Sequence, residues 1–111
     1  MDRMAYLLDM LYYLIEDICE EEEVGKIVEK ENEFEAYTDT YCTIFKLKKG
    51  EDLWKIYIGY IESPEDGLWI DIFLPTPYIK KKIQEIIGMI KSYYTYYKGE
   101  EDEVQSTNGD E

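Results

Sequence analysis

The residues that most often carry catalysis are scarce in this chain. Histidine is absent, and the two cysteines, Cys19 and Cys42, have no CxxC spacing. Without an imidazole there is no usual general base and no Ser-His or Cys-His nucleophile pair. Two thiols alone cannot complete a common four-ligand zinc site. Cys19 and Cys42 therefore read as buried free thiols, with a disulfide left open because spacing does not reveal pairing. An enzyme would have to work through carboxylates, with Asp39, Glu62, Asp66 and Asp71 holding magnesium or forming an acid and base pair. Those acids fall around hairpin turns, where they serve solubility equally well. The chain also lacks an HExxH helix, a phosphate loop, a dinucleotide glycine pattern and an EF-hand loop. The expectation is a non-enzymatic protein with no catalytic residues, no cofactor and no metal.

Binding chemistry is better represented. Lys and Arg number 12 against 26 Asp and Glu, a formal charge of −14 that opposes direct contact with polyanionic DNA or RNA. The acidity is local. Between positions 16 and 35 stand ten acids (Glu16, Asp17, Glu20, Glu21, Glu22, Glu23, Glu29, Glu31, Glu33 and Glu35) and two lysines. Positions 99–111 hold six acids and no base, whereas 36–98 are nearly neutral, with nine lysines against eight acids. Charge confined in this way creates a directional field able to steer a basic partner, although acids on a strand edge also prevent aggregation.

Twelve tyrosines and two tryptophans form a second set of candidates. Tyr93, Tyr94, Tyr96 and Tyr97 nearly encircle a helix, so some must reach the surface, where aromatic rings act as interface anchors. Trp69 and Phe73 share one parity of a strand and are expected on an open sheet face. The Lys80-Lys81-Lys82 run at a helix start is suited either to an anion or, the preferred reading, to the chain's own acids.

The elements that must position these residues follow from periodicity. Met4, Leu7, Leu8, Leu11, Leu14, Ile15 and Ile18 recur at helical steps, predicting an amphipathic helix from about Arg3 to Glu22. Its end falls in Glu20-Glu21-Glu22-Glu23, acids at the negative end of the helix dipole, unless the helix stops before them. Ile27, Phe34 and Ala36 suggest one or two short strands with an irregularity near Glu31-Asn32; the glutamates at 29, 31, 33 and 35 share a parity and would line one edge or face. Three clearer strands run Thr40 to Lys48, Leu53 to Ile61 and Leu68 to Leu74, joined by short loops that imply antiparallel hairpins. Thr76-Pro77 opens a last helix whose buried stripe is Ile79, Ile83, Ile86, Ile87, Ile90, Tyr93 or Tyr94, and Tyr97, with Gly99 as its stop. The predicted fold is α+β: a two-layer sandwich in α-β-β-β-β-α order, an antiparallel meander sheet with both helices packed on one face. Residues 1–98 would form one compact domain and 99–111 a flexible acidic tail.

No stretch approaches the roughly 18 uncharged apolar residues that a membrane span needs, and the N-terminal run lacks a signal-peptide cleavage site. A cytoplasmic protein is expected, in the host cytoplasm if it is viral. In composition the chain resembles proteins of hot-spring archaeal viruses: Ile, Lys, Glu and Tyr are abundant, while Asn (Asn32, Asn108) and Gln (Gln84, Gln105) are scarce, as suits heat-labile amides. That resemblance, with the size, acidity and missing catalytic motifs, points by analogy to an anti-defence protein of the anti-CRISPR kind. The expected partner is a protein with a basic surface, such as a nucleic-acid-binding complex that the acids engage as a nucleic-acid mimic. The alternative is a chaperone-like or adaptor module, with a homodimer as one option, that binds through aromatic surface.

Overall fold

The computed structural model describes the backbone of residues 3–39, 42–49, 53–73 and 76–109, and their side chains except those of 42–49, 64 and 95–109. Helix α1 (Arg3–Glu21) leads into strands β1 (Val24–Lys30), β2 (Glu33–Thr38), β3 (Cys42–Lys49), β4 (Leu53–Tyr60) and β5 (Leu68–Phe73), and helix α2 (Pro77–Gly109) closes the order. The strands form one antiparallel sheet in sequential order, β1-β2-β3-β4-β5. The fold is α+β, with an antiparallel meander as expected. The sheet has five strands, one more than the predicted order counts. The extra strand arises at Glu31-Asn32, which is a tight turn rather than an irregularity, so Val24–Thr38 is a complete hairpin.

Both helices and one face of the sheet bury a single aliphatic layer. Leu8, Leu11, Ile15 and Cys19 from α1 meet Ile79, Ile83, Ile86 and Ile90 from α2 over Phe34, Ala36, Ile56 and Ile72 of the sheet. Leu8, Ile15, Ile56, Ile72, Ile83 and Ile90 are among its largest fully buried side chains, and burial of this kind is the dominant stabilising effect. The start of α2 follows its sequence signal: the Ile79 amide donates to Thr76 Oγ1 at 3.2 Å and the Lys80 amide to the Thr76 carbonyl at 2.8 Å. Its end does not. The helix passes Gly99 and continues to Gly109, through the stretch expected to be a flexible tail. Glycine within a helix costs only about 1 kcal/mol relative to alanine, and the glutamates that follow are good helix formers. Among the described residues, no helix is long and apolar enough to cross a membrane.

Among the described side chains, the opposite face of the sheet is largely open to solvent, and the burial of Tyr57 there explains two glycines. Tyr57 alternates outward from Ile56 and is nevertheless 4% exposed. Its ring lies against Trp69, 5.1 Å between centroids, and over the backbone of Gly59 and Gly67, where any Cβ would collide with it. The Gly59→Ala variant, which also meets the backbone of Gly67, is therefore expected to cost about 1–3 kcal/mol as an overpacked site. Gly88, in the middle of α2, has nothing within 4 Å of its missing Cβ. Gly88→Ala should raise stability by about 0.5–1 kcal/mol through helix propensity. Urea unfolding midpoints that move in the same direction for both variants would contradict this packing.

Candidate functional site

The acids of positions 16–35 are not one surface. Glu16, Asp17, Glu20 and Glu21 lie on the last turns of α1, and Glu22 and Glu23 lie in the turn that follows. The helix does not stop before Glu20: the Glu22 amide still donates to the Ile18 carbonyl at 2.9 Å, and the last turn holds no base. The pairs Glu16–Glu20 and Asp17–Glu21 are spaced i,i+4, about 5–6 Å apart at Cβ. Each like-charge pair opposes the helix by about 0.2–0.5 kcal/mol, in addition to the dipole penalty.

The hairpin register separates the other four. Glu29 stands opposite Phe34, on the face that carries the core, and its carboxylate meets Lys91 of α2 at 2.7 Å. Glu31 lies in the turn. Glu33 and Glu35 alternate to the outer face, where each stands opposite a lysine position in β3, Lys48 and Lys46. Equal parity in sequence does not become a shared face, because the turn reverses the strand and resets the alternation. Farther along the outer face, Lys55 and Asp71 are cross-strand partners, 3.4 Å apart. Glu33, Glu35 and Asp71 thus each stand across from a lysine position, although Lys48 and Lys55 also stand opposite each other, and the last turn of α1 contains no base of its own. Of the lysine run, Lys82 closes on Asp9 of α1, which holds its ammonium above the ordinary pKa, and sits 5.1 Å from the Tyr78 ring.

Among the aromatic candidates, Trp69 and Phe73 are on the open face, 47% and 54% exposed. Tyr93 and Tyr94 are half-buried and pack against the core. The side chains of Tyr96, Tyr97 and Cys42 lie outside the described residues. A third apolar surface was not anticipated. Tyr6, Met10, Tyr13 and Leu14 are exposed on the side of α1 turned away from the core. Their three- and four-residue spacing is visible in the sequence, but the stronger inner stripe of the same helix masks it.

No protein-family model, curated protein or solved structure matches this chain. The chemistry must be read from the side chains. Cys19 is a free buried thiol whose pKa is pushed up to about 12, first by burial and then by Glu16 and Glu20. Such a thiol is not nucleophilic near neutral pH. Among the described residues no three metal-ligating side chains converge, and Asp71, one of the carboxylates considered for magnesium, is held by Lys55. A cleft of about 320 Å³ lies between the β1–β2 turn and α2, with Phe34, Trp54 and Ile87 in its wall beside Glu29 and Lys91.

Two tyrosines report on the acids. Tyr93 is raised to about 12 by burial, then by the charges of Glu20 and Glu16 and a hydrogen bond with Glu20. Tyr37 is also raised to about 12, by burial and then by the bond its hydroxyl donates to Glu35 at 2.8 Å. Unfolded, Cys19 would lose its proton near 9 and the tyrosines near 10, whereas the folded chain keeps all three to about 12. The native state binds more protons across that window, so stability falls as pH rises through it; below about 9 these groups add no slope. Thermal melts should drop steadily between about pH 9 and 12, and Tyr93→Phe should flatten the part above about 10. A variant slope as steep as that of the native sequence would rule out Tyr93 as a contributor.

Proposed function

We propose that this chain is a non-enzymatic protein-binding module that acts as an inhibitor, presenting the acidic end of α1 to the basic surface of a nucleic-acid-binding complex. The observation that carries this reading is the contrast between the two sets of acids. On the sheet each of Glu33, Glu35 and Asp71 has a lysine position across the strands. At the end of α1, Glu16, Asp17, Glu20 and Glu21 are stacked at i,i+4 with no base in the last turn, against both the dipole and their mutual repulsion. Local rules broken without local compensation occur disproportionately where a protein binds something. A positively charged channel would relieve that repulsion, and nucleic acid would compete for the same channel. The compositional resemblance to hot-spring viral proteins favours a target inside a host cell and an anti-defence role.

A second reading is an adaptor or chaperone-like module that uses the open sheet face, and the exposure of Trp69 and Phe73 beside the buried Tyr57 ring favours it. The two readings differ in their response to salt. Contacts made by the α1 acids weaken as ionic strength rises, whereas apolar burial survives.

The test is capture of the bound complex on the tagged chain, washed at low and then high salt, followed by affinity measurement. Release by salt, displacement by added nucleic acid and loss of at least about tenfold in affinity when Glu20, Glu21, Glu22 and Glu23 are all changed to Lys are expected. Salt-resistant binding that the four changes spare and that Trp69→Ala with Phe73→Ala abolishes would replace the inhibitor reading with the adaptor one.

A further inference from the structure

Helix α1 is apolar on two opposite sides, and only one of them is buried. The inner side, with Leu8, Ile15 and Cys19, enters the core. On the outer side Arg3, Tyr6, Met10, Tyr13 and Asp17 follow one another at steps of three, four, three and four residues, the spacing of a two-heptad helix seam. Its middle is open to solvent: Tyr6 is 57%, Met10 54% and Tyr13 64% exposed, with Leu14 at 48% beside them. Among the described side chains of helix α2, in the same layer, Tyr78 is the one large hydrophobic that is exposed, and Lys81, Glu85, Gly88 and Ser92 follow it on that side. A helix that is apolar all round is normally buried all round, and tyrosine and methionine are enriched where proteins meet.

We infer that this seam pairs with the same seam of a second copy, the two α1 helices running antiparallel about a two-fold axis at Met10. The charges at its ends choose the partner and the direction. Arg3 is the base at one end and Asp17 the acid at the other, both exposed. Turned end for end, a second copy sets Arg3 opposite Asp17 at both ends, Met10 opposite itself, and Tyr6 level with the exposed Leu14, one residue from Tyr13. A parallel pair would oppose Arg3 to Arg3 and Asp17 to Asp17. The contact is isologous, as a two-fold requires. The seam covers 14 helical steps, about 21 Å, so the pair is a weak one, and the −14 charge on each copy works against it. Salt screens that repulsion more than it weakens two short-range ion pairs, so association strengthens as salt is added, opposite to the partner binding proposed above. The dimer does not depend on that proposal. The two acidic helix ends point away from each other in the pair, with Asp17 taken up by the seam and Glu16 and Glu20 outside it.

Sedimentation velocity on the full chain, over a wide concentration range and at two salt concentrations, tests the inference. The expected result is a concentration-dependent shift from the mass of one chain to that of two, larger at high salt. Met10→Glu should leave only monomer, with an unchanged thermal melt when dilute because Met10 is exposed. Arg3→Asp alone and Asp17→Arg alone should each weaken the dimer at least about threefold, and the double exchange should restore it, as expected of a surface ion pair made twice. A chain that is monomeric at every concentration overturns the inference and assigns the stripe to a different protein. A dimer indifferent to Met10→Glu overturns it in favour of another surface, and a double exchange that fails to restore pairing overturns the antiparallel arrangement.

Discussion

An aliphatic layer one side chain thick, between the inner face of the sheet and two helices, is the interaction on which the other features of this molecule depend. Isoleucine is its commonest residue. Ile79, Ile83, Ile86 and Ile90 of α2 share one buried cluster with Ile56 and Ile72 of the sheet and with Leu8 and Ile15 of α1. Close packing leaves little freedom in such a layer, so the helices can approach the sheet with only one of their sides. That single restriction sets Glu16 and Glu20 near Tyr93, Lys82 on Asp9, and Lys91 on Glu29. It also turns Tyr6, Met10 and Tyr13 outward.

The distribution of charge makes sense against this frame. A sheet open on one side places opposed positions of neighbouring strands close together, and its outer-face acids stand across from lysine positions: Glu33 between Lys30 and Lys48, and Asp71 opposite Lys55, while Lys48 and Lys55 stand opposite each other. A helix end has no cross-strand partner of this kind. Glu20 finds a hydroxyl on Tyr93, but the last turn of α1 contains no base to balance its acids. Part of the acidity of the composition is therefore concentrated at the end of α1, which is the physical basis for reading that end as a binding feature.

Much of the fold was legible because strong periodicity and local capping act over a few residues. The inner stripe of α1, the Thr76-Pro77 start of α2 and the alternation that exposes Trp69 and Phe73 all follow from side-chain spacing alone. The extra strand and the length of α2 were not legible, for different reasons. Glu31-Asn32 carries no glycine or proline to mark a tight turn, and Gly99 is a stop signal that a helix can override at modest cost. The burial of Tyr57 was equally hidden. It depends on two glycines and a tryptophan that come together only when β4 and β5 pair.

By itself, the sequence determined the absence of histidine, the class of the fold and the inner stripe of each helix. Composition and short-range spacing suffice for those properties. Only the tertiary structure decided which acids stand together and which apolar side chains remain in water. Glutamates at 29, 33 and 35 differ in face because a turn lies between them, and those at 33 and 35 differ from the α1 acids because β3 brings lysines opposite. The outer stripe of α1 has the same spacing as an inner one. What distinguishes them is that α2 and the sheet cover one side of that helix and leave the other open, an outcome of packing between distant segments that no local pattern encodes.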